Sequence, residues 1–259
     1  MFKVSPAAHA RRGRGDVLFL GGVAAIAALG VLFVYSASCY TAKVQYGDAF
    51  YFLKKQLLGF FLGLAAMLFL SRADAARWKK AGVPALVAAV LLLASVFIPG
   101  LAQTSSGAPR WLGLGPVTLQ PSELAKFAFV LFSAGHFASD PSRPRRFSGI
   151  LPVLGAGASL CVLILLEPNL SVTMVMGALM LGMLFLAGTP KKTLLLILLP
   201  ILLAVPVLIL AEPYRLRRLM AFLDPWASPQ DEGYQLIQSL YALANGDLFG
   251  VGLFSSRQK

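Results

Sequence analysis

The sequence predicts an all-α fold, a polytopic helical membrane protein with seven transmembrane helices. Of its 259 residues, 58% are hydrophobic and 13% are charged, and the mean hydropathy is +0.74. Soluble domains carry roughly 25% charged residues, so this chain has too few charged side chains to cover a water-facing surface. Apolar stretches that approach the roughly 20 residues needed to cross a bilayer core recur along the chain. They predict spans at 17–38, 56–71, 81–98, 121–138, 149–166, 170–187 and 193–211.

Each span is predicted to be a helix, because backbone polar groups in lipid need partners within their own segment and no alternating barrel pattern is present. The first span follows basic residues, as a signal peptide does. Its apolar run from Val17 to Val34 is longer than the about 7–15 residues of a signal-peptide core, which predicts an uncleaved helix. The predicted single membrane domain, 1–259, comprises a tail at 1–16, the spans at 17–211 and an outer segment at 212–259.

Basic residues in the loops predict the orientation of the spans, because cytoplasmic loops are enriched in Lys and Arg. Thirteen of these residues fall on one predicted side, namely Lys3, Arg11, Arg12, Arg14, Arg72, Arg77, Lys79, Lys80, Arg143, Arg145, Arg146, Lys191 and Lys192. Four fall on the other side before the end of the seventh span, namely Lys43, Lys54, Lys55 and Arg110. The N-terminus is therefore predicted to be cytoplasmic, and the loop at 99–120 and the segment at 212–259 are predicted to lie outside.

The net charge of +12 and the pI near 10.1 do not predict a nucleic-acid-binding protein. The basic residues form short clusters between apolar runs rather than one basic face. Cys39 and Cys161 fall at or inside predicted spans and suggest no disulfide framework. The sequence also contains no phosphate-binding glycine loop, no serine-nucleophile motif and no His or Cys cluster with metal-ligand spacing.

Three groups of charged residues are candidates for function. Glu123 and Lys126 are three residues apart at the start of the fourth predicted span. They form either a self-neutralising pair or part of a polar cavity. Glu167 precedes Pro168 between two spans, where an exposed turn would explain the charge without a function. Arg215 and Arg218 share a helix face on the outer side, where they would bind a diphosphate or ordinary lipid headgroups.

The outer segment predicts one further helix, near 233–244. Asp231 and Glu232 precede it, and Asn245-Gly246 ends it. Leu236, Ile237, Leu240 and Ala244 form its apolar face. Such a helix is typical of elements that lie on a membrane surface.

Several of these motifs resemble the FtsW/RodA/SpoVE (SEDS) family of cell-wall proteins, most closely its division branch. They lie at 35–38 (YSAS), 107–112 (GAPRWL), 119–126 (LQPSELAK), 214–218 (YRLRR), 233–240 (GYQLIQSL), 250–253 (GVGL) and 258–259 (QK). The resemblance runs from about Asp16 to the last residue. Two departures are that Asn169 stands where the family often has aspartate, and Phe254 where it usually has glycine.

The resemblance implies a bacterial inner-membrane peptidoglycan glycosyltransferase that polymerises lipid II in cell division or elongation, beside a class B penicillin-binding protein and other divisome or elongasome proteins. Arg110, Lys126, Arg215 and Arg218 would stabilise the diphosphate leaving group, and Gln120, Glu123 and Gln235 would shape the polar cavity. The resemblance implies no particular cofactor and leaves open whether a divalent cation is required.

Family members have about ten spans, and the aspartate usually regarded as catalytic follows the final QK motif. We therefore expect the 259-residue chain to insert into a membrane without making glycan. The alternatives are a lipid II flippase, since a membrane-buried charged pair also suits a transport path, and a scaffold that recruits a transpeptidase.

Overall fold

A computed structural model describes residues 14–72, 75–105, 108–114 and 117–256 of the chain. The predictions that concern Lys3, Arg11, Arg12, Gly107 and Gln258-Lys259 lie outside these residues. The helices are α1 (Arg14–Tyr46), α2 (Tyr51–Ser71), α3 (Ala75–Ser95), α4 (Pro121–Ser139), α5 (Phe147–Leu166), α6 (Leu170–Ala187), α7 (Lys191–Leu210), α8 (Pro213–Leu223) and α9 (Tyr234–Gly246). The strands are β1 (Ala102–Ser105), β2 (Ala108–Leu114) and β3 (Val117–Leu119).

The helices form two compact units. A terminal unit comprises α1, α2, α8 and α9, and a central unit comprises α3 to α7 with the three strands. The all-α prediction is confirmed for the body of the protein.

The number of spans differs from the predicted seven. Six helices of the described residues are long and apolar enough to cross a membrane, namely α1, α2, α3, α5, α6 and α7. The remaining long helix of the central unit, α4, contains Glu123, Lys126 and His136, which lower its hydropathy. The count of seven is therefore not confirmed, although the predicted segment 121–138 is a helix.

The central unit is organised around α4, which runs antiparallel to α3 at very short range. A Cβ atom on Gly82 of α3 would lie 2.9 Å from Phe132 Cα, and one on Gly135 of α4 would lie 3.1 Å from the Lys79 carbonyl oxygen. Only glycine permits backbones to approach this closely. The Lys79 ammonium group also donates a hydrogen bond to the Ala138 carbonyl, at 3.3 Å.

Apolar side chains from α3 to α6 make one contiguous core within the central unit. Its fully buried members include Leu93, Phe129, Leu160, Ile164 and Leu184. The ends of these helices fall into two groups. One end of the central unit contains the start of α3, the end of α4 and the starts of α5 and α7. The opposite end contains the strands, the start of α4 and the end of α5.

An antiparallel sheet occupies part of the predicted outer loop at 99–120. The strands pair in the order β1-β2-β3, with Leu112 opposite both Ala102 and Leu119. These strands were not predicted from the sequence. Because β3 ends at Leu119 and α4 begins at Pro121, the sheet fixes β2 beside the start of α4.

Within the terminal unit, the segment after α9 packs against α1. The Phe254 amide donates a hydrogen bond to Ser36 Oγ at 2.9 Å, and the Phe254 ring meets the Tyr35 ring edge-on at 5.6 Å. Phe254 has a φ of 66°, in the left-handed region that favours glycine. This backbone conformation explains why glycine is the usual residue there in the family that the motifs resemble.

Candidate functional site

The start of α4 carries an ion pair. Lys126 Nζ donates to Glu123 Oε1 at 2.8 Å, so the predicted placement on one helix face is confirmed. The Glu123 side chain is 55% exposed and that of Lys126 is 22% exposed, which leaves the carboxylate accessible while the lysine stem is covered. Gln120, half-buried, is the residue that immediately precedes the helix.

Two buried polar side chains belong to the same end of the central unit. Ser122 and Glu167 are both 0% exposed, and neither the hydroxyl oxygen nor either carboxylate oxygen has a hydrogen-bond partner among the described residues. The idea that Glu167 occupies an exposed turn is therefore wrong. Buried polar atoms without protein partners are rare, and they mark strain, a functional site or a site that binds water or an ion.

Arg110 of β2 holds the turn that contains Glu167. Its Nε donates to the Glu167 carbonyl at 3.0 Å, and its Nη2 donates to the Pro168 carbonyl at 2.6 Å. Arg110 thus satisfies two backbone acceptors at the end of α5, where helix carbonyls have no intrahelical donor. Burial raises the pKa of Glu167 to about 7, and the positive charge of Arg110 opposes that increase.

Asn169, which stands where the family that the motifs resemble often has aspartate, has a structural role in this chain. Its Oδ1 accepts a hydrogen bond from the Val172 amide at 3.4 Å, and its carbonyl accepts one from the Thr173 hydroxyl at 2.9 Å. Asn169 is thus the N-cap of α6. Sequence reasoning missed this capping role, although an asparagine that directly precedes an apolar helix is a recognised signal for it.

The structure brings Arg110, Gln120, Glu123 and Lys126 to one end of the central unit. The β2–β3 pairing places the Arg110 strand beside the start of α4, and no ion pair joins Arg110 to Glu123 among the residues described. Arg110 instead contacts the backbone of the α5–α6 turn.

The remaining predicted site residues belong to the terminal unit. An open cavity of about 660 Å³ is lined by residues that include Arg217, Arg218 and Gln235. Arg217 Nε donates to Glu232 Oε1 at 3.1 Å, and the Arg218 guanidinium lies 5.5 Å from the centre of the Tyr214 ring. Arg215 is not among the cavity-lining residues, and Arg217 lines the cavity together with Arg218.

At the opposite end of the central unit, His136 has partners that the sequence did not suggest. One ring nitrogen, Nε2, lies 2.8 Å from the Gly149 carbonyl, and Nδ1 lies 3.2 Å from an Arg143 nitrogen. These contacts join α4 to α5, so the histidine has a structural role. Within the described ranges, no three His, Cys, Asp or Glu side chains are grouped to bind a metal ion.

These features define a class: a multi-pass membrane protein with a helical bundle, a buried carboxyl group and an ion pair at one end. The chain belongs to the FtsW/RodA/SpoVE family, whose model is described as "Cell cycle protein" and matches residues 16–259. The predicted family resemblance is confirmed.

Curated relatives match nearly the whole chain. A "Probable peptidoglycan glycosyltransferase FtsW" from Legionella pneumophila is 36% identical over 245 residues, which are 94% of this chain and 62% of the relative. The protein of the same name from Geobacter metallireducens is 38% identical over 247 residues, which are 95% of this chain and 66% of the relative. The chain therefore spans less than two thirds of the length of these relatives.

Solved structures show the same fold. A chain from a study of structural coordination of polymerization and crosslinking by a peptidoglycan synthase complex matches with a TM-score of 0.64 and 32% identity, over 88% of this chain and 64% of that one. The rod shape determining protein RodA from Thermus thermophilus matches with a TM-score of 0.57 and 30% identity, over 73% of this chain and 58% of that one.

Proposed function

We propose that the protein is a peptidoglycan glycosyltransferase that polymerises lipid II into glycan strands. The observation that carries the proposal is the polar end of the central unit, where the Glu123–Lys126 pair and the buried Glu167 carboxyl interrupt an otherwise apolar bundle. Ionisable groups among membrane helices are costly and are retained chiefly for function. The names of the curated relatives support the same activity.

The proposed chemistry requires a base for the acceptor hydroxyl and cations for the departing lipid diphosphate. Lys126 is the cation best placed for a substrate in the central unit, because its only partner among the described residues is a half-exposed carboxylate. Arg110 has a positioning role, since its guanidinium is engaged by two carbonyls. In the terminal unit, Arg218 and Gln235 offer a second polar surface, and Arg215 remains a proposed contact. No base is assigned among the 259 residues.

A charge swap tests this proposal. A version of the protein extended through the tenth span of the family is reconstituted with labelled lipid II, either with the wild-type pair or with Glu123→Lys and Lys126→Glu together. The swapped pair keeps its neutrality, so a structural pair should tolerate the exchange, whereas a substrate site should lose most of its glycan product. An exposed ion pair of the same 2.8 Å length, Asp48 with Lys54, is the matched control for swapping.

Glycan synthesis at the wild-type rate by the Glu123/Lys126 swap would return the pair to a structural role. Equal melting temperatures of the two swapped proteins would show that any lost activity does not reflect misfolding.

A lipid II flippase is the second candidate function. The observation that favours it is that Glu123 and Lys126 belong to a helix packed among apolar helices, as a transport path requires. The two functions differ in product: a polymerase makes glycan, whereas a flippase only exposes labelled lipid II to dithionite added outside the liposome. Dithionite-accessible lipid without polymer would favour the flippase.

The proposed location is the bacterial inner membrane, with the N-terminus in the cytoplasm. The proposed partner is a class B penicillin-binding protein, which the peptidoglycan synthase complex among the solved structures supports. Co-purification of such a transpeptidase with the membrane-extracted protein tests the partnership, and its absence after mild extraction would count against it.

A further inference from the structure

A second pocket lies at the end of the central unit that is opposite the sheet. It has a volume of about 230 Å³ and is formed where α5 and α7 begin. The guanidinium-bearing residues Arg145 and Arg146 line it together with Ile150, Leu196 and Ile197. One wall is therefore cationic, and the rest is mainly apolar.

The two arginines are available to bind an anion. Neither guanidinium has a hydrogen bond or an ion pair within the part of the chain that the structure describes, whereas Arg143 is engaged by His136. Asp140 is the one acidic side chain described at this end of the central unit. Its carboxylate accepts the Ser142 amide and lies 4.0 Å from Arg143. The charge of Asp140 interacts with both Arg143 and Arg146, and the three arginines leave this surface with a net positive charge, which favours an anionic ligand.

The depth of the pocket indicates what kind of anion it fits. Arg146 immediately precedes the span that starts at Phe147, and Ile150 lies four residues further along, about 6 Å at a helical rise of 1.5 Å per residue. On the facing helix, Leu196 and Ile197 lie about 8–9 Å from the start of α7. The pocket thus extends from the level of a phosphate headgroup to the level of the first methylene groups.

We propose that this pocket binds an anionic phospholipid, with Arg145 and Arg146 holding the phosphodiester and Ile150, Leu196 and Ile197 contacting the start of an acyl chain. Basic pockets between membrane helices are suited to acidic lipid headgroups. Planar guanidinium groups bind phosphate through paired hydrogen bonds. The pocket is too small for a protein helix, whose diameter with side chains is about 10–12 Å. The site is separate from the polar end of the bundle and does not depend on glycosyltransferase activity.

Native mass spectrometry of the whole chain in neutral detergent tests the proposal. Dioleoyl phosphatidylglycerol, phosphatidylcholine of the same chains and inorganic phosphate are titrated separately, and the dissociation constant of the first adduct is measured. Arg145→Gln with Arg146→Gln should weaken phosphatidylglycerol binding about tenfold or more, because each basic residue near an anionic lipid strengthens binding by roughly fivefold. Thr193→Phe, which fills the pocket without changing charge, should also weaken it.

The matched control is Lys79→Gln with Lys80→Gln, which removes two charges at the same end but outside the pocket. It should change phosphatidylglycerol binding less than about twofold. Equal losses in the two double variants would overturn the proposal in favour of diffuse charge attraction. Equal binding of phosphatidylcholine, or phosphate binding as tight as that of the lipid, would also overturn it. Unchanged melting temperatures exclude misfolding as the cause of a loss.

Discussion

Replacing Glu167 by glutamine should remove a pH-dependent weakness from the central unit. The carboxyl group is fully buried, and its oxygens lack partners among the described residues. Burial raises its pKa from 4.5 to about 7, and Arg110 opposes the increase. In the unfolded chain the carboxyl ionises near its ordinary pKa, so the folded state is disfavoured progressively as the pH rises from about 4.5 to 7.

The size of the effect follows from the two pKa values. A difference between 4.5 and about 7 corresponds to about 3 kcal/mol of lost stability above pH 7. Of this, about 2.5 kcal/mol is lost between pH 5 and pH 8. The free energy of unfolding of Glu167→Gln should not fall in this way between pH 5 and pH 8, because an amide does not ionise. At pH 8 the variant should be more stable than wild type by about 1–3 kcal/mol, because its amide is also buried without partners and retains part of the cost.

The measurement is the free energy of unfolding in mixed micelles titrated with dodecyl sulfate, from pH 5 to pH 8. The matched control is Asp48→Asn, because a hydrogen bond from Lys54 lowers the pKa of Asp48 and its titration falls below this pH range. Parallel pH profiles of wild type and Glu167→Gln would refute the reasoning and would mean that Glu167 is solvated or paired.

Three further predictions concern structure. Asn169→Ala should destabilise the protein by about 0.5–2 kcal/mol, because it removes the N-cap of α6. Thr189→Val should change the stability little, because the buried Thr189 hydroxyl has no partner among the described residues. Chemical unfolding measures the stability of both variants. Gly149→Ala should cost about 1–3 kcal/mol because the new methyl group would meet the Arg143 backbone, and an equal loss for Gly155→Ala, which faces open space, would contradict this packing argument. A cysteine at Ser142 should react only in permeabilised cells, and one at Ser105 in intact spheroplasts; the reverse pattern would overturn the predicted orientation.

The sequence predicted helix positions well wherever an apolar run ends at a strong breaker. The predicted spans 149–166 and 170–187 agree with α5 and α6, because Glu167-Pro168 and the left-handed Gly188 stop them. The end of α1 was misplaced by eight residues, since it continues through a polar stretch to Tyr46. No glycine or proline occurs between Ser38 and Gly47, so this weakly polar stretch remains helical. The helix predicted near 233–244 is confirmed as α9.

The elements that were missed depend on contacts rather than on local pattern. The strands of the sheet are short, and the longest, β2, contains Pro109 and Gly113, so no clear alternation marks them. The geometry of Glu123 and Lys126 could be predicted because it follows from helical spacing. The burial of Glu167 could not, since it depends on how α5 and α6 pack against their neighbours. The position of Arg217 in the cavity wall likewise depends on its ion pair with Glu232, fifteen residues further along.

The close approach of α3 and α4 also bears on how the protein enters a membrane. Glu123, Lys126 and His136 make α4 less apolar than the six described helices that are long and apolar enough to cross a membrane. Gly82 and Gly135 let α3 contact it backbone to backbone, so the two helices can enter as one hairpin, with the apolar α3 carrying its more polar neighbour. A bulky residue at Gly82 would then act during biogenesis. The expected result is a smaller amount of membrane-inserted protein.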